Sequence, residues 1–247
     1  MLSNPVAAIN HPRVRRLAPR HEAGLSNPGK CATPSLRYRS NGPVRYSPPI
    51  IDPTLRRNFD FSANHIVLDF TNTVNARPTY SRDDLTSDDD VVRWAASAGL
   101  RVRGNEAAAC GQETSHLHRA VMLREQLYGV FGPIARGLEP HDSALSFVTR
   151  RGAQALRSAR WAAGPLGFEP AWPADSIEAM CDHLSDAAMQ LLRSPATARI
   201  GSCAGCGWLF LDTSRAHARR WCSMNACGVR NKMRRYHQRQ TSATATL

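Results

Sequence analysis

Apolar residues recur at helical spacing along much of the central chain. The most regular stripe is Ile177, Met180, Cys181, Leu184, Ala188, Leu191 and Leu192, which follows the i, i+3, i+4 pattern of one helix face. Asp175 or Ser176 opens this helix and Pro195 ends it. A second, longer helix is predicted from Thr114 to Gly137, with Leu117, Val121, Leu123, Leu127, Val130, Phe131 and Ile134 on its apolar side. Ser87 followed by Asp88, Asp89 and Asp90 reads as a capped helix start that complements the helix dipole, and the helix stops near Gly99. A short helix is expected after Pro140, with Leu145, Phe147 and Val148 inward.

Other stretches lack that period. His65 to Val74 is apolar and β-branched, which fits a short buried strand or a tight helical turn. Trp161 to Trp172 mixes Gly, Pro and aromatics and reads as a β-hairpin or loop. Residues 1–57 show neither period and carry dense Pro, Arg, Ser and Asn, so a disordered basic tail is expected there. The expected organisation is a tail at 1–57, a helical domain at 58–197, a small module at 198–240, and a disordered end at 241–247.

Charge sharpens this division. The net charge of +12 divides into +8 over residues 1–57, −4 over 58–197 and +8 over 198–247. A middle domain of ordinary acidity between basic segments points to a polyanionic partner. No apolar run approaches the roughly eighteen residues that a membrane span requires. The expectation is a soluble, cytoplasmic protein with no membrane partner.

The cysteines carry the strongest chemical signal. Cys203-Ala-Gly-Cys206 is followed, after fifteen residues, by Cys222-Ser-Met-Asn-Ala-Cys227. Two close pairs joined by an arm of this length are the plan of a tetrahedral zinc site with four thiolate ligands. All four positions are taken, so the site is structural rather than catalytic. An iron–sulfur cluster also uses four cysteines. A redox pair at Cys203 and Cys206 would lack the strand–helix context of a thioredoxin. Cys181 lies on a buried stripe and reads as a core hydrophobe. His116 and His118 are two apart and point to different sides of a helix.

Within the module, Trp208, Leu209, Phe210 and Leu211 read as a strand and, with Trp221, as its small core. Positions five apart lie about 140° apart on a regular helix. Cys222 is therefore expected on a turn and Cys227 at the start of a helix from about Val229 to Gln240, with Val229, Met233 and Tyr236 inward. Arg230, Lys232, Arg234, Arg235 and Arg239 spread over the rest of that helix, and Arg215, Arg219 and Arg220 add charge from the arm. These eight residues are the candidate nucleic-acid contacts.

Cys203 through Lys232, with Phe210-Leu-Asp-Thr-Ser-Arg215, Arg219-Arg-Trp-Cys-Ser-Met224 and Cys227-Gly228, resembles the CGNR zinc-finger family. Leu68-Asp-Phe-Thr-Asn-Thr73, the Trp94 helix and Leu123-Arg-Glu-Gln-Leu-Tyr128 are similar to its usual partner, the ABATE domain. The resemblance spans about residues 59–240. It implies a stress-induced transcriptional regulator of actinobacteria and related bacteria, with bound Zn2+ and DNA as partner. The motif that names the family reads Cys227-Gly228-Val229-Arg230 here, with Val in place of Asn.

The expected fold class is mainly α with α+β character. A helical ABATE-like domain with a small β-hairpin precedes a small treble-clef-like zinc-finger module that ends in a basic helix. The leading functional expectation is a zinc-dependent DNA-binding regulator whose ABATE-like domain senses a small-molecule ligand or forms a homodimer. The alternative is an RNA-binding or protein-interaction module. Asp69, Asn72 and Thr73 form the compact polar cluster in an apolar setting and are the candidate ligand pocket, although such clusters also satisfy backbone groups at turns. No paired acids, nucleophile elbow or phosphate loop is evident, so an enzyme is not expected.

Overall fold

A computed structural model describes residues 59–77, 79, 82–102, 115–164, 167–172 and 175–244, with the side chains of 242–244 excepted. The expected tail at 1–57, Cys31, Cys110, Thr114 and residues 245–247 lie outside this set.

The chain begins with a short helix, α1 (Ile66–Thr71), in which all six residues are buried. Burial on every side removes the polar face from the sequence pattern, which is why a strand and a helical turn read alike there. His65 caps α1 through Nδ1, which accepts from the Val67 amide at 3.3 Å. Two short strands follow, β1 (Val74–Asn75) and β2 (Arg82–Asp83), paired antiparallel.

Helix α2 (Asp88–Ser97) starts at Ser87, whose side chain accepts from the Asp90 amide. It stops where Gly99 turns to a φ of 77°. Trp94 on α2 is fully buried, with its ring 4.7 Å from Phe70. Helix α3 (His116–Ile134) carries Leu123, Leu127, Val130 and Phe131 into the core, as its stripe predicts.

The helix after Pro140 is much longer than expected: α4 spans Asp142–Ser158. Its buried stripe is Ala144, Val148, Gly152 and Ala155, and apart from Val148 these are small residues with little hydrophobic signal. Small size is what the packing needs, because a Cβ on Gly152 would meet Met189 Cγ of the neighbouring helix at 2.3 Å. That neighbour is α5 (Ile177–Arg193), capped by Ser176 as anticipated. Arg151 ties the two helices by pairing with Glu178 and Asp182. Cys181 is buried on α5, and burial pushes its thiol up to about 12.

Between α4 and α5 stands a hairpin, β3 (Arg160–Gly164) paired with β4 (Gly167–Ala171). It leaves Trp161 and Phe168 exposed. After a 3-10 turn at Pro195–Arg199, β5 (Ile200–Ser202) pairs antiparallel with β6 (Leu209–Leu211). The chain then runs through a wide π turn at Met224–Gly228 into α6 (Val229–Thr244). Helix α6 thus reaches beyond Gln240, its expected end.

The expected inward face of α6 is corrected. Val229, Met233 and Tyr236 are 51%, 50% and 55% exposed. Helix α6 packs chiefly against the Met224–Gly228 turn, so no core among the described residues covers its apolar side.

The expected self-contained core of the module is corrected as well. Strand alternation divides it. Ile200, Leu209 and Leu211 join the main helical core, whereas Phe210 packs with the four cysteines, Trp208 and Trp221. Hairpin β5–β6 therefore belongs to both cores at once.

Candidate metal centre

The first cysteine pair sits in the turn that joins β5 to β6. Cys203 donates its amide to the Trp208 carbonyl at 2.7 Å, and the Gly207 amide returns to the Cys203 carbonyl at 2.8 Å. Gly207 closes the turn at a φ of 75°, where a side chain would be strained. Gly205 makes room for the second pair, since a Cβ there would lie 3.2 Å from Cys227 Cβ.

The second pair converges by a different device. The Gly228 amide donates to the Ser223 carbonyl five residues back, at 3.0 Å, and this π-type bond widens the turn. Cys222 precedes this turn beside the extended Ser223, and Cys222 Sγ and Cys227 Sγ stand 3.7 Å apart. Cys222 lies on an irregular segment, as expected. Cys227 lies inside the wide turn, one residue before the Gly228 that precedes α6.

All four sulfurs lie within 4.8 Å of one another and all four residues are buried. Cys206 Sγ and Cys222 Sγ are 3.6 Å apart. Zinc–sulfur bonds of about 2.3 Å in a tetrahedron require sulfur separations of about 3.8 Å, so the donor set fits that ion. The thiols also crowd one another. Hydrogen bonding from Cys206 pulls Cys203 far below its ordinary value, while the bond with Cys203 pushes Cys206 up to about 12 and raises Cys222 too. Four thiolates at this spacing need a cation to balance them.

The site is bolted to the helical part through backbone groups. The Arg77 amide donates to the Cys206 carbonyl at 3.1 Å, and Tyr128 Oη donates to the Gly207 carbonyl at 3.3 Å. Trp208 Nε1 donates to the Val74 carbonyl at 2.7 Å. The Leu211 amide donates to the Ala63 carbonyl at 2.8 Å, and Asn64 Nδ2 donates to the Leu211 carbonyl at 3.0 Å.

Beneath these contacts lies an ionic cluster whose arginines are buried and whose carboxylates are partly exposed. Arg124 clasps Asp83 with two bonds of 2.6 and 2.7 Å and reaches Glu125 at 2.8 Å. Burial works against its charge, but the bonds and charges of Asp83 and Glu125 outweigh burial and hold its pKa up. Buried Arg77 bonds to the Thr71 carbonyl at 2.6 Å, pairs with Glu125 and stacks over Tyr128 at 4.1 Å. Sequence reasoning missed Arg77 and Arg124 as structural ions. The available signal was Arg124 itself, a charge next to Leu123 and one turn before Leu127.

The eight candidate nucleic-acid contacts separate into two groups. Arg215, Arg220, Arg230, Lys232, Arg234, Arg235 and Arg239 are exposed, and no acidic residue follows Asp212 in the chain. Arg219 is engaged inward instead. It donates to the carbonyls of Trp221, Cys222 and Ser62 and lies 4.4 Å over the Phe210 ring. Its amide also donates to Asp212 Oδ2 at 3.0 Å. Burial opposes ionisation of Asp212, yet the bonds from Ser214 and Arg219 win and hold its carboxyl low.

The candidate ligand pocket is largely taken up by the fold. Asn72 bonds both backbone groups of Leu209. Thr73 Oγ1 donates to the Phe70 carbonyl at 2.9 Å and accepts from Arg124 at 3.2 Å. Asp69 Oδ1 accepts from the Ala63 amide at 2.9 Å, and Oδ2 is buried with no hydrogen-bond partner among the described residues. Burial raises the Asp69 carboxyl well above its ordinary range.

Two family models match the chain in succession. Residues 64–195 match ABATE, described as "Putative stress-induced transcription regulator". The chain belongs to the ABATE family. Residues 199–240 match the CGNR zinc finger. Among curated proteins, none matches the chain. The ABATE segment supplies α1 to α5, and the zinc-finger segment supplies the four clustered cysteines and the basic helix, which makes zinc the metal of this site. No helix among the described residues is long and apolar enough to cross a membrane.

Proposed function

We propose that the protein is a zinc-dependent, DNA-binding transcriptional regulator of the cytoplasm with no catalytic step of its own. Cys203, Cys206, Cys222 and Cys227 ligate Zn2+ as thiolates. The ion cross-links hairpin β5–β6 to the turn that launches α6. A unit this small gains much of its folding energy from the metal. The ligand set is closed, so zinc holds the helix and leaves no site for substrate.

One observation carries the DNA reading. Seven exposed cations, with no acid after Asp212, occupy the surface that the cysteine cluster organises. Such a surface attracts phosphates by releasing condensed counterions. Arg219 is left out of the contact set because its donors serve the protein itself.

The exposed Trp161 and Phe168 favour a second role for the ABATE domain in assembly or ligand response. The alternative reading is an RNA-binding or protein-interaction module. Titration of the zinc-loaded protein against a selected duplex and a random duplex separates them. The regulator reading expects tight, salt-sensitive binding that prefers the selected site. Equal affinity for every duplex would favour the alternative.

A further inference from the structure

We propose that α6 lies lengthwise in the major groove of duplex DNA, with Val229, Met233 and Tyr236 against the base edges, where they select thymine methyl groups. This rests on the DNA-binding reading above and adds which face reads the DNA and what chemistry it reads.

The arrangement of side chains on α6 carries the inference. At about 100° per residue, Val229, Met233, Tyr236 and Gln240 fall within an arc of about 60°. Arg230 lies about 60° beyond one edge of that arc, Lys232 and Arg239 about 40° and 60° beyond the other, and Arg234 and Arg235 about 100° beyond either edge, towards the back. Asn231 and Gln238, both uncharged, lie opposite. An ordinary surface helix buries its apolar stripe against the protein core. Here the stripe is about half exposed, while Asn231 on the opposite side is partly buried. The apolar face is thus turned outward, flanked by Arg230 on one side and by Lys232 and Arg239 on the other.

The occupant must match both features. It needs two rows of negative charge with apolar groups between them. A second copy of α6 would bring basic flanks against basic flanks. The major groove, about 12 Å wide, admits one helix and has a phosphate backbone along each wall. Its one apolar feature is the thymine C5-methyl group. Tyr236 Oη accepts from Gln240 Nε2 at 2.7 Å, which holds the last two residues of the stripe together.

Fluorescence anisotropy with the zinc-loaded full chain tests this on three short duplexes. One has alternating A·T pairs, one replaces every thymine of that duplex by uracil, and one has alternating G·C pairs. Uracil removes the methyl and leaves the hydrogen-bonding edge unchanged. Wild type is expected to bind the thymine duplex most tightly, losing about fourfold for each methyl removed from a contact. Met233→Ala and Tyr236→Ala are expected to bind thymine and uracil duplexes alike, with the wild-type salt slope and full zinc content. Arg230→Ala and Lys232→Ala should weaken binding to both, keep the thymine preference, and each reduce the salt slope by about one. Salt-dependent binding in which wild type treats thymine and uracil duplexes equally would overturn the placement and leave the DNA reading standing. Failure to bind any duplex would overturn both, and partition onto phosphatidylglycerol vesicles in that case would assign the stripe to an anionic lipid surface.

Discussion

Asn72 and Leu209 exchange two hydrogen bonds of 2.9 Å, one from Asn72 Nδ2 to the Leu209 carbonyl and one from the Leu209 amide to Asn72 Oδ1. Asn72 closes α1 in the ABATE segment, and Leu209 opens β6 in the zinc finger. A side-chain amide here acts as a missing strand edge. It satisfies both backbone groups of a buried residue in the other segment.

Asn72→Ala should therefore cost about 2–3 kcal/mol, since it strands a buried donor and a buried acceptor together. Urea unfolding measures this. Asn72→Asp keeps the acceptor but sets a buried carboxylate oxygen against the Leu209 carbonyl, and should cost at least as much as Ala. A midpoint unchanged in both variants would show that the pair does not join the segments.

Arg219 and Arg220 are neighbours with opposite assignments. Arg219→Ala should destabilise the protein by about 2 kcal/mol, because it frees the carbonyls of Cys222, Trp221 and Ser62. Arg220→Ala should leave stability within about 0.5 kcal/mol and weaken DNA binding. Thermal melts and anisotropy on the two variants check both halves. Equal melting temperatures for the pair would contradict the inward role of Arg219.

Much of this fold was legible because its helices bury one face. Ser87 and Ser176 capped helices where local chemistry placed them, and the α3 and α5 stripes named their core residues. Helix α1 was ambiguous because burial on all sides erased its period. Helix α4 was underestimated because close packing on α5 selects Ala and Gly, which carry little hydrophobic signal. At the site, cysteine spacing revealed the cluster, since metal geometry constrains spacing directly. The contact of Arg219 with Ser62 was not legible, because Ser62 is distant in sequence and nothing local marks it. Val229, Met233 and Tyr236 showed a true apolar stripe, but a stripe does not say whether the protein itself covers it.

The Arg124–Asp83 pair is buried on the arginine side and should behave as a structural ion pair. Asp83→Asn should destabilise by about 1 kcal/mol, because the guanidinium loses a partner that is itself partly screened by water. Calorimetry on the zinc-loaded variant measures the loss. A change under about 0.5 kcal/mol would show that Glu125 alone suffices.

His65 gives the stability a pH dependence of known sign. Burial, with a smaller contribution from His183, lowers its pKa from 6.5 to about 4. As pH falls, the unfolded chain takes up the proton first. The contribution is complete above the unfolded value and is lost as pH falls from about 6.5 towards 4. His65→Asn keeps a capping acceptor and removes the titration. Between pH 7 and pH 5, wild type should lose about 2 kcal/mol more than this variant. Equal losses would place His65 in contact with water.

The most direct test of the whole account is one titration. A labelled duplex selected from a random pool is titrated with the zinc-loaded protein over a salt series, and again after the metal is removed by a chelator. Zinc-loaded protein should carry one zinc per chain and bind with an affinity that falls steeply as salt rises, and removal of the metal should abolish the binding. Binding that survives complete loss of zinc, or that ignores salt, would contradict the claim that four cysteines hold a cationic helix for DNA.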